Sequence, residues 1–353
     1  WDEFRKKRNK VVSMVRESKF EFYNNLPPST IHNSKLLWKY LDSALPLPTI
    51  GSKVASKIPN VNLKDIPRFP ESIYTFSFKE ITCDFTIKFL KSLPSQSKND
   101  ILNIDSKILR LTACIIAPSL TYIINLCLLF GYCLDDWKAA LVTPAFKSKG
   151  DHNEETNYRP LSVISHIAML NEKVVHCQLM EYLMDHKFIT PDQFAYLKNH
   201  STQLCLHRLL DDILENMNER EKTSLCFLDI RKCFDTIDHD ILLFKLDKYG
   251  IRKTELAWFK SYLNNRSQVV MNNNEKSKKC FLDIGVPQGT VLGPMLFLIF
   301  VNDLSNSVSN AHINIYADDV VIYSSDSCIE NLKDIVQHNI SNVHKWYKSN
   351  KLA

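Results

Sequence analysis

Two adjacent aspartates interrupt an apolar stretch near residue 320, and no other feature restricts the possible folds of this sequence as much. Asp318 and Asp319 lie between the strand-like runs Ile313–Ile315 and Val320–Tyr323, a pattern that predicts a β-hairpin. Such turns ordinarily contain Asn-Gly or Asp-Gly, whereas two neighbouring carboxylates repel each other. A bound divalent cation removes this cost, because Mg²⁺ prefers carboxylate oxygens. The alternative is a solvated acidic turn without an ion.

A third acid occupies a similar position well upstream. Asp229 follows the apolar strand-like run Ser224–Leu228. If Asp229 faces the Asp318-Asp319 turn, the three carboxylates can hold two metal ions about 4 Å apart, as two-metal phosphoryl-transfer sites do. Such a transfer needs mainly positioning and charge neutralisation, so three acids and two ions nearly suffice.

Glycine is scarce but clustered between these acids. Three of the seven glycines, Gly285, Gly289 and Gly293, fall within nine residues. This clustering predicts a segment in which the backbone approaches another group closely.

The rest of the sequence mixes helical and strand-like patterns, which by itself indicates only the α+β class. The predicted elements are a strand at Ala140–Thr143, helices at Ile164–Leu183, Ser201–Met217 and His239–Tyr249, and a hairpin at Gln268–Ile284.

Composition and hydropathy exclude several classes. The net charge of +5, from 44 basic and 39 acidic residues, is below that of a dedicated DNA-coating domain. No signal-peptide pattern follows Trp1, and the ten cysteines lack zinc-site spacing. The apolar run Leu111–Tyr132 could span a bilayer, but Pro118 and Asn125 interrupt it, so a buried core helix is favoured. An intracellular protein, nuclear or cytoplasmic, without a membrane segment is expected.

Five sequence blocks carry a resemblance to a known family. They are WKAALVTPAFKSKGDHNEETNYRPLSVIS, QFAYLKNHST, FLDIRKCFDTIDH, GVPQGTVLGPMLFLIFVNDL and YADD, in this order. Together they resemble the reverse transcriptases of jockey-like non-LTR retrotransposons. The resemblance implies a right-hand polymerase fold of the α+β class, with fingers and a palm whose small antiparallel sheet is backed by helices.

The resemblance also implies an RNA-directed DNA polymerase that adds deoxynucleotides to a primer 3′-end. Its partners would be an RNA template, a DNA primer or target, and deoxynucleoside triphosphates. Its cofactors would be two Mg²⁺ ions, with Mn²⁺ as an alternative. Asp229, Asp318 and Asp319 match the catalytic, metal-binding acids of the family, and Tyr316 and Ala317 complete the last motif.

Five further residues match positions that bind the incoming nucleotide. Lys147 and Arg159 match cations that grip the triphosphate, although each alone would be interpreted as a surface residue. Phe234 matches an aromatic steric gate against a ribose 2′-hydroxyl, and its alternative is an ordinary core residue. Gln288 and Gly289 resemble residues that line the incoming base pair.

Departures from the family pattern leave alternatives open. The segment Ala195-Tyr196-Leu197 stands where Gly-Phe-Arg is usual, so one cation is missing, and Met169 replaces a Lys. These changes are compatible with an inactive nucleic-acid-binding remnant. A relative of group II intron maturases or telomerases is a third interpretation.

The predicted organisation has four parts. Residues 1–45 form a basic helical segment, with a net charge of +4 in the first twenty residues, and residues 46–77 form a linker. Residues 78–223 form a helical region and the fingers. Residues 224–353 form a palm, which the resemblance implies is incomplete at its C-terminal end and not followed by a thumb.

Overall fold

The computed structural model describes residues 72–352, except residues 96–99, 103, 149, 153–156, 231 and 273–274. The predicted basic segment and most of the predicted linker lie outside the described residues. The chain divides into two units, and residues 148–157 belong to the same unit as residues 1–46. The elements discussed below belong to the other unit, which comprises residues 47–147 and 158–353.

The helices follow the predicted order, and several begin at polar caps. Ser165 Oγ accepts a hydrogen bond from Ala168 N at 3.1 Å, and Asp238 Oδ1 accepts one from Ile241 N at 3.0 Å; each satisfies a backbone donor that the first helical turn leaves unpaired. The helices described are α1 (Cys83–Ser92), α2 (Ser106–Leu111), α3 (Ala113–Leu129), α4 (His166–Asp185), α5 (Thr202–Asn218), α6 (His239–Lys248), α7 (Lys253–Leu263), α8 (Gly293–Val301) and α9 (Ile329–Ser349), with 3₁₀ turns at Asp135–Lys138 and Asn302–Ser307.

A five-stranded mixed sheet forms the first β layer. Its strands are β1 (Ala139–Phe146), β2 (Tyr158–Val163), β4 (Arg266–Asn272), β5 (Glu275–Lys276) and β6 (Cys280–Leu282). Strand β1 is antiparallel to β2 and parallel to β4. The predicted hairpin at 268–284 is confirmed, because β4 pairs with β6 in antiparallel fashion. Hydrogen bonds between β1 and β4 cross the predicted boundary at residues 223 and 224, and that boundary stays a prediction.

The second sheet is antiparallel and has three strands in the order β3 (Lys222–Asp229), β8 (Asp319–Asp326) and β7 (His312–Tyr316). Alternate residues of β8 point to opposite faces. Val320 and Ile322 enter the main hydrophobic core together with Trp346 of α9, whereas Val321 and Tyr323 pack against Leu209 of α5. Helices therefore cover both faces of this sheet, and side chains at the ends of its strands remain accessible.

The apolar run Leu111–Tyr132 is only partly a core helix, which corrects the prediction. It contains α3, and Thr121 in α3 is hydrogen-bonded to Thr86 in α1 at 2.7 Å. However, Ile115 and Leu129 are 79% and 65% exposed, because α3 packs along one side while the apolar residues surround it. None of the described helices is long and apolar enough to cross a membrane.

Candidate active site

The hairpin turn between β7 and β8 has an unfavourable backbone. Tyr316 pairs with Asp319, so Ala317 and Asp318 are the two turn residues. Ala317 has φ +55°, in the left-handed region that costs a residue with a Cβ about 1 kcal/mol. Glycine or asparagine would occupy such a turn at lower cost. The sequence at this turn is therefore not the one that turn stability alone would favour.

The sheet brings the three predicted acids to one end. Asp229 is the last residue of β3 and pairs directly with Asp319, the first residue of β8. Side chains of directly paired residues leave a sheet on the same face. Asp318 lies in the adjoining turn, and its carbonyl oxygen accepts a hydrogen bond from Ile230 N at 3.4 Å. Antiparallel register thus places residues distant in sequence side by side.

Burial and like charge both act on the carboxylates at this end of the sheet. Partial burial raises the pKa of the Asp318 carboxyl above its ordinary value, and the charges of Asp319 and Asp229 raise it further. A hydrogen bond from its own backbone N–H and the nearby charge of Arg159 act in the opposite direction. Among the described residues, no three His, Cys, Asp or Glu side chains are arranged around a common point where a metal ion would fit.

A glycine loop ties the first sheet to this end. Ser162 N in β2 donates a hydrogen bond to the Gln288 carbonyl oxygen at 2.7 Å. Gly289 has φ +97°, and a Cβ at this position would lie 3.3 Å from the Ser162 carbonyl oxygen. A larger residue would be strained and crowded here, so the glycine cluster does mark a close backbone approach, as predicted.

The two predicted phosphate-binding cations lie on one hairpin. Arg159 is in β2, opposite Ala145 of β1. Lys147 comes directly after the last residue of β1 and is exposed. Arg159 is also exposed, and its charge acts on Asp318. The charge of Arg159 therefore lowers the pKa of one carboxylate, Asp318. Lys147 lies on the same hairpin as Arg159.

Phe234 is nearly enclosed. Its side chain is 7% exposed, and its ring stacks on Phe297 with centroids 4.9 Å apart. The Phe234 carbonyl oxygen accepts a hydrogen bond from Val286 N at 2.8 Å, which links it to the loop that carries Gln288. The ring of Tyr196 meets Phe234 edge to face, with centroids 6.4 Å apart. This burial is compatible with both the core and the gate interpretations of Phe234.

A buried glutamate that the sequence analysis missed holds the loop from behind. Glu172 in α4 is 2% exposed. Its Oε2 accepts hydrogen bonds from Val291 N and Leu292 N at 2.9 and 3.0 Å, and its Oε1 accepts one from Tyr262 Oη at 2.7 Å. A buried carboxylate needs such donors. A lone acid among the apolar positions of α4 was the available signal.

His239 supports the other end of the same loop. Its Nε2 is 2.7 Å from the Gly285 carbonyl oxygen, so this nitrogen donates the hydrogen bond. Burial lowers the pKa of His239, and the hydrogen bond to Gly285 opposes this shift. Nearby, Asp235 donates its backbone N–H to the Lys232 carbonyl oxygen at 2.8 Å.

Known proteins match most of this region. The family model described as reverse transcriptase (RNA-dependent DNA polymerase) matches residues 147–353. A probable RNA-directed DNA polymerase from transposon BS of Drosophila melanogaster is 28% identical over 284 residues, 76% of this chain. The RNA-directed DNA polymerase from mobile element jockey of Drosophila funebris is 28% identical over 274 residues, 74% of this chain.

The jockey polymerase of Drosophila melanogaster is 26% identical over 292 residues, 80% of this chain. The chain spans only 30% to 32% of the length of these three relatives. The family match nevertheless covers more than half of the chain and contains all three carboxylates, the glycine loop and Phe234. The chain therefore belongs to the reverse transcriptase (RNA-dependent DNA polymerase) family.

Proposed function

We propose that this chain catalyses RNA-directed DNA synthesis, the addition of deoxynucleotides to a primer 3′-end on an RNA template, as part of a non-LTR mobile element. The observation that carries the proposal is the register of the second sheet, which pairs Asp229 with Asp319 beside Asp318. Like charges gathered at the exposed end of a well-packed sheet weaken the fold unless a cation joins them. The names of the relatives support the same reaction.

The proposed polymerase architecture assigns each sheet a part. The mixed sheet with Arg159 is the fingers sheet, and the antiparallel sheet with the carboxylates is the palm sheet. The loop at Gln288 is joined to the mixed sheet by the hydrogen bond from Ser162 N. Template RNA, primer DNA and the incoming triphosphate would meet between these residues.

The chemistry of the side chains present suits a divalent metal. Asp229 and Asp318, with Asp319 beside them, would hold Mg²⁺ or Mn²⁺, because hard cations prefer carboxylate oxygens. Burial raises the pKa of Asp318, the charges of Asp319 and Asp229 raise it further, and a bound cation would offset that repulsion. When bound, two such ions lower the pKa of the attacking 3′-hydroxyl and neutralise the departing pyrophosphate.

The chain's own residues supply positioning. Arg159 and Lys147 would hold triphosphate oxygens through charge-assisted hydrogen bonds. Gln288 would meet the incoming base pair, and Gly289 allows the backbone to come close to it. The Phe234 ring would lie under the sugar and collide with a 2′-hydroxyl.

Nucleic-acid binding without catalysis is the second candidate function. One observation favours it: among the described side chains, no three acids are arranged to hold a metal ion. Leu197, half-buried where the family carries a cation, would also weaken the fingers.

Primer extension on poly(rA) annealed to oligo(dT), with Mg²⁺ and dTTP, separates the two. The assay compares this chain with Asp318→Asn, and includes a version continued at its C-terminus by the segment that follows the matched region in jockey. Extension that requires Asp318, in either version, supports the polymerase. Template retention on filters by both the parent and Asp318→Asn, with no extension by any version, would instead establish the binding function.

A further inference from the structure

Tyr196 is carried to the carboxylates by an added strand-like segment at the edge of the second sheet. Ile315 N in β7 donates to the Asp192 carbonyl oxygen at 2.8 Å, and Phe194 N donates to the Ile315 carbonyl oxygen at 2.9 Å. Gln193, 1% exposed, accepts a hydrogen bond from Ala195 N through Oε1 at 2.9 Å. These bonds fix the backbone immediately before Tyr196.

Tyr196 then turns outward in a backbone conformation that tyrosine rarely adopts. Its φ is +59°, a left-handed conformation that is unfavourable for a residue with a Cβ unless the surroundings enforce it. The side chain is 46% exposed, so core packing does not require a ring here. Partial burial raises the pKa of Tyr196 to about 12, and the charge of Asp318 contributes to the rise. Gln193 bridges Ile315 in parallel, so Tyr196 follows a segment that runs beside the last residues of β7, where the acidic turn begins.

Phe234 contacts two other aromatic rings. One side of its ring is covered by Phe297 in a stacked arrangement, and the Tyr196 ring meets it at an interplanar angle of 82°. Phe234 is 7% exposed and Tyr196 is 46% exposed, so of these two rings Tyr196 offers most of the surface that a bound sugar can contact.

We propose that Tyr196 is a specificity-determining residue for the sugar: its ring holds Phe234 in place and forms the solvent-facing wall that rejects a ribose 2′-hydroxyl. This inference rests on the proposed function. In this inference the ring of Tyr196 discriminates between deoxyribose and ribose, and the Tyr196 hydroxyl does not contribute.

Two substitutions separate the ring from the hydroxyl. Tyr196→Ala removes the wall and frees the edge of Phe234, so the preference for a deoxyribose over a ribose should fall about tenfold, the lower end of what apolar pockets discriminate. Tyr196→Phe keeps the ring, and its preference should stay within about twofold of the parent. Tyr122→Ala, at a 66% exposed position of α3, is the matched control and should change nothing.

The measurement needs no turnover. A dideoxy-terminated primer on an RNA template is bound to the full chain, and the concentration of dTTP or of ribothymidine triphosphate that stabilises the complex is determined for each variant. These nucleotides differ only at the 2′-position. Because Tyr196 and Phe234 touch, the loss in Tyr196→Ala combined with Phe234→Val should be smaller than the product of the two single losses.

Each outcome is decisive for one claim. If Phe234→Val weakens the preference while Tyr196→Ala, folded by circular dichroism, keeps the parental ratio, the inference is wrong and the polymerase proposal stands. A Tyr196→Phe variant as permissive as Tyr196→Ala would also overturn it, since the hydroxyl would then be the determinant. If the parent chain forms no nucleotide-stabilised complex, with or without the added C-terminal segment, the proposed function is wrong, and the inference is wrong with it.

Discussion

Two groups of charged residues in this protein differ in how their charge is balanced. Lys245 and Asp303 form an ion pair at 2.7 Å, 0% and 1% exposed, and Trp346 Nε1 donates to the second Asp303 oxygen at 2.9 Å. Burial lowers the pKa of Lys245 and Asp303 opposes this. At the end of the three-stranded antiparallel sheet, Asp229, Asp318 and Asp319 instead lie close together with like charge.

This difference separates charged side chains that stabilise the fold from charged side chains that are placed to bind a ligand. A buried charge without its partner is strongly destabilising, so the Lys245 pair is complete within the chain. Surface carboxylates cost less because water screens them, so their repulsion can be tolerated until a cation binds. The comparison predicts that substitutions at the two groups affect different properties.

The largest expected effect is on catalysis. Asp229→Asn or Asp318→Asn should reduce primer extension by more than about 1,000-fold, because electrostatic stabilisation of this kind supplies several kcal/mol of the barrier reduction. Template binding should scarcely change, since neither acid contacts the template in the proposal. Either variant with near-parental turnover would exclude the two-metal assignment.

The next effect is on stability. Lys245→Met should lower the free energy of unfolding by about 3–5 kcal/mol, because Asp303 is left buried without its cation. Urea unfolding followed by circular dichroism measures this. The double variant Lys245→Met/Asp303→Asn, which keeps an acceptor for Trp346, should recover most of the loss. Equal losses in the single and double variants would mean that packing, and not charge, explains the effect.

A smaller effect of opposite sign is expected at the carboxylates. The folded-state pKa of Asp318 is raised, so its favourable contribution is present below the unfolded pKa of about 3.9 and is lost as pH rises through the folded pKa. At neutral pH with a chelator, Asp318→Asn should therefore gain up to about 1 kcal/mol. Added Mg²⁺ should stabilise the parent more than the variant; equal stabilisation would speak against a metal site.

The smallest effect concerns His239, whose half-buried ring lies near the carboxylates of Asp238 and Asp240. Its folded-state pKa is lowered, so its contribution is present above the unfolded pKa of about 6.5 and is lost as pH falls through the folded pKa. His239→Gln should flatten the acid-side loss of stability measured by urea unfolding below about pH 6.5. An unchanged pH profile would show that His239 does not carry this loss.

Local sequence patterns predicted much of the local structure. Short apolar runs that flank Asp318 and Asp319 predicted the β7–β8 hairpin, and helical spacing predicted α4, α5 and α6, because a strand or an amphipathic helix needs only its own residues to set its period. The glycine cluster likewise predicted a close approach. Helices α7 and α9 were not among the predicted elements.

Sequence by itself thus determined many of the elements and the family, and its assignment of Asp229, Asp318 and Asp319 as metal-binding acids stays a prediction. Tertiary structure alone decided that β4 joins β1 in parallel, that Lys245 finds Asp303, that Glu172 holds the loop at Leu292, and that Tyr196 stands beside Phe234. These contacts join residues far apart in the chain. No local spacing encodes them, because they exist only once the packed core has fixed the positions of the elements that carry them.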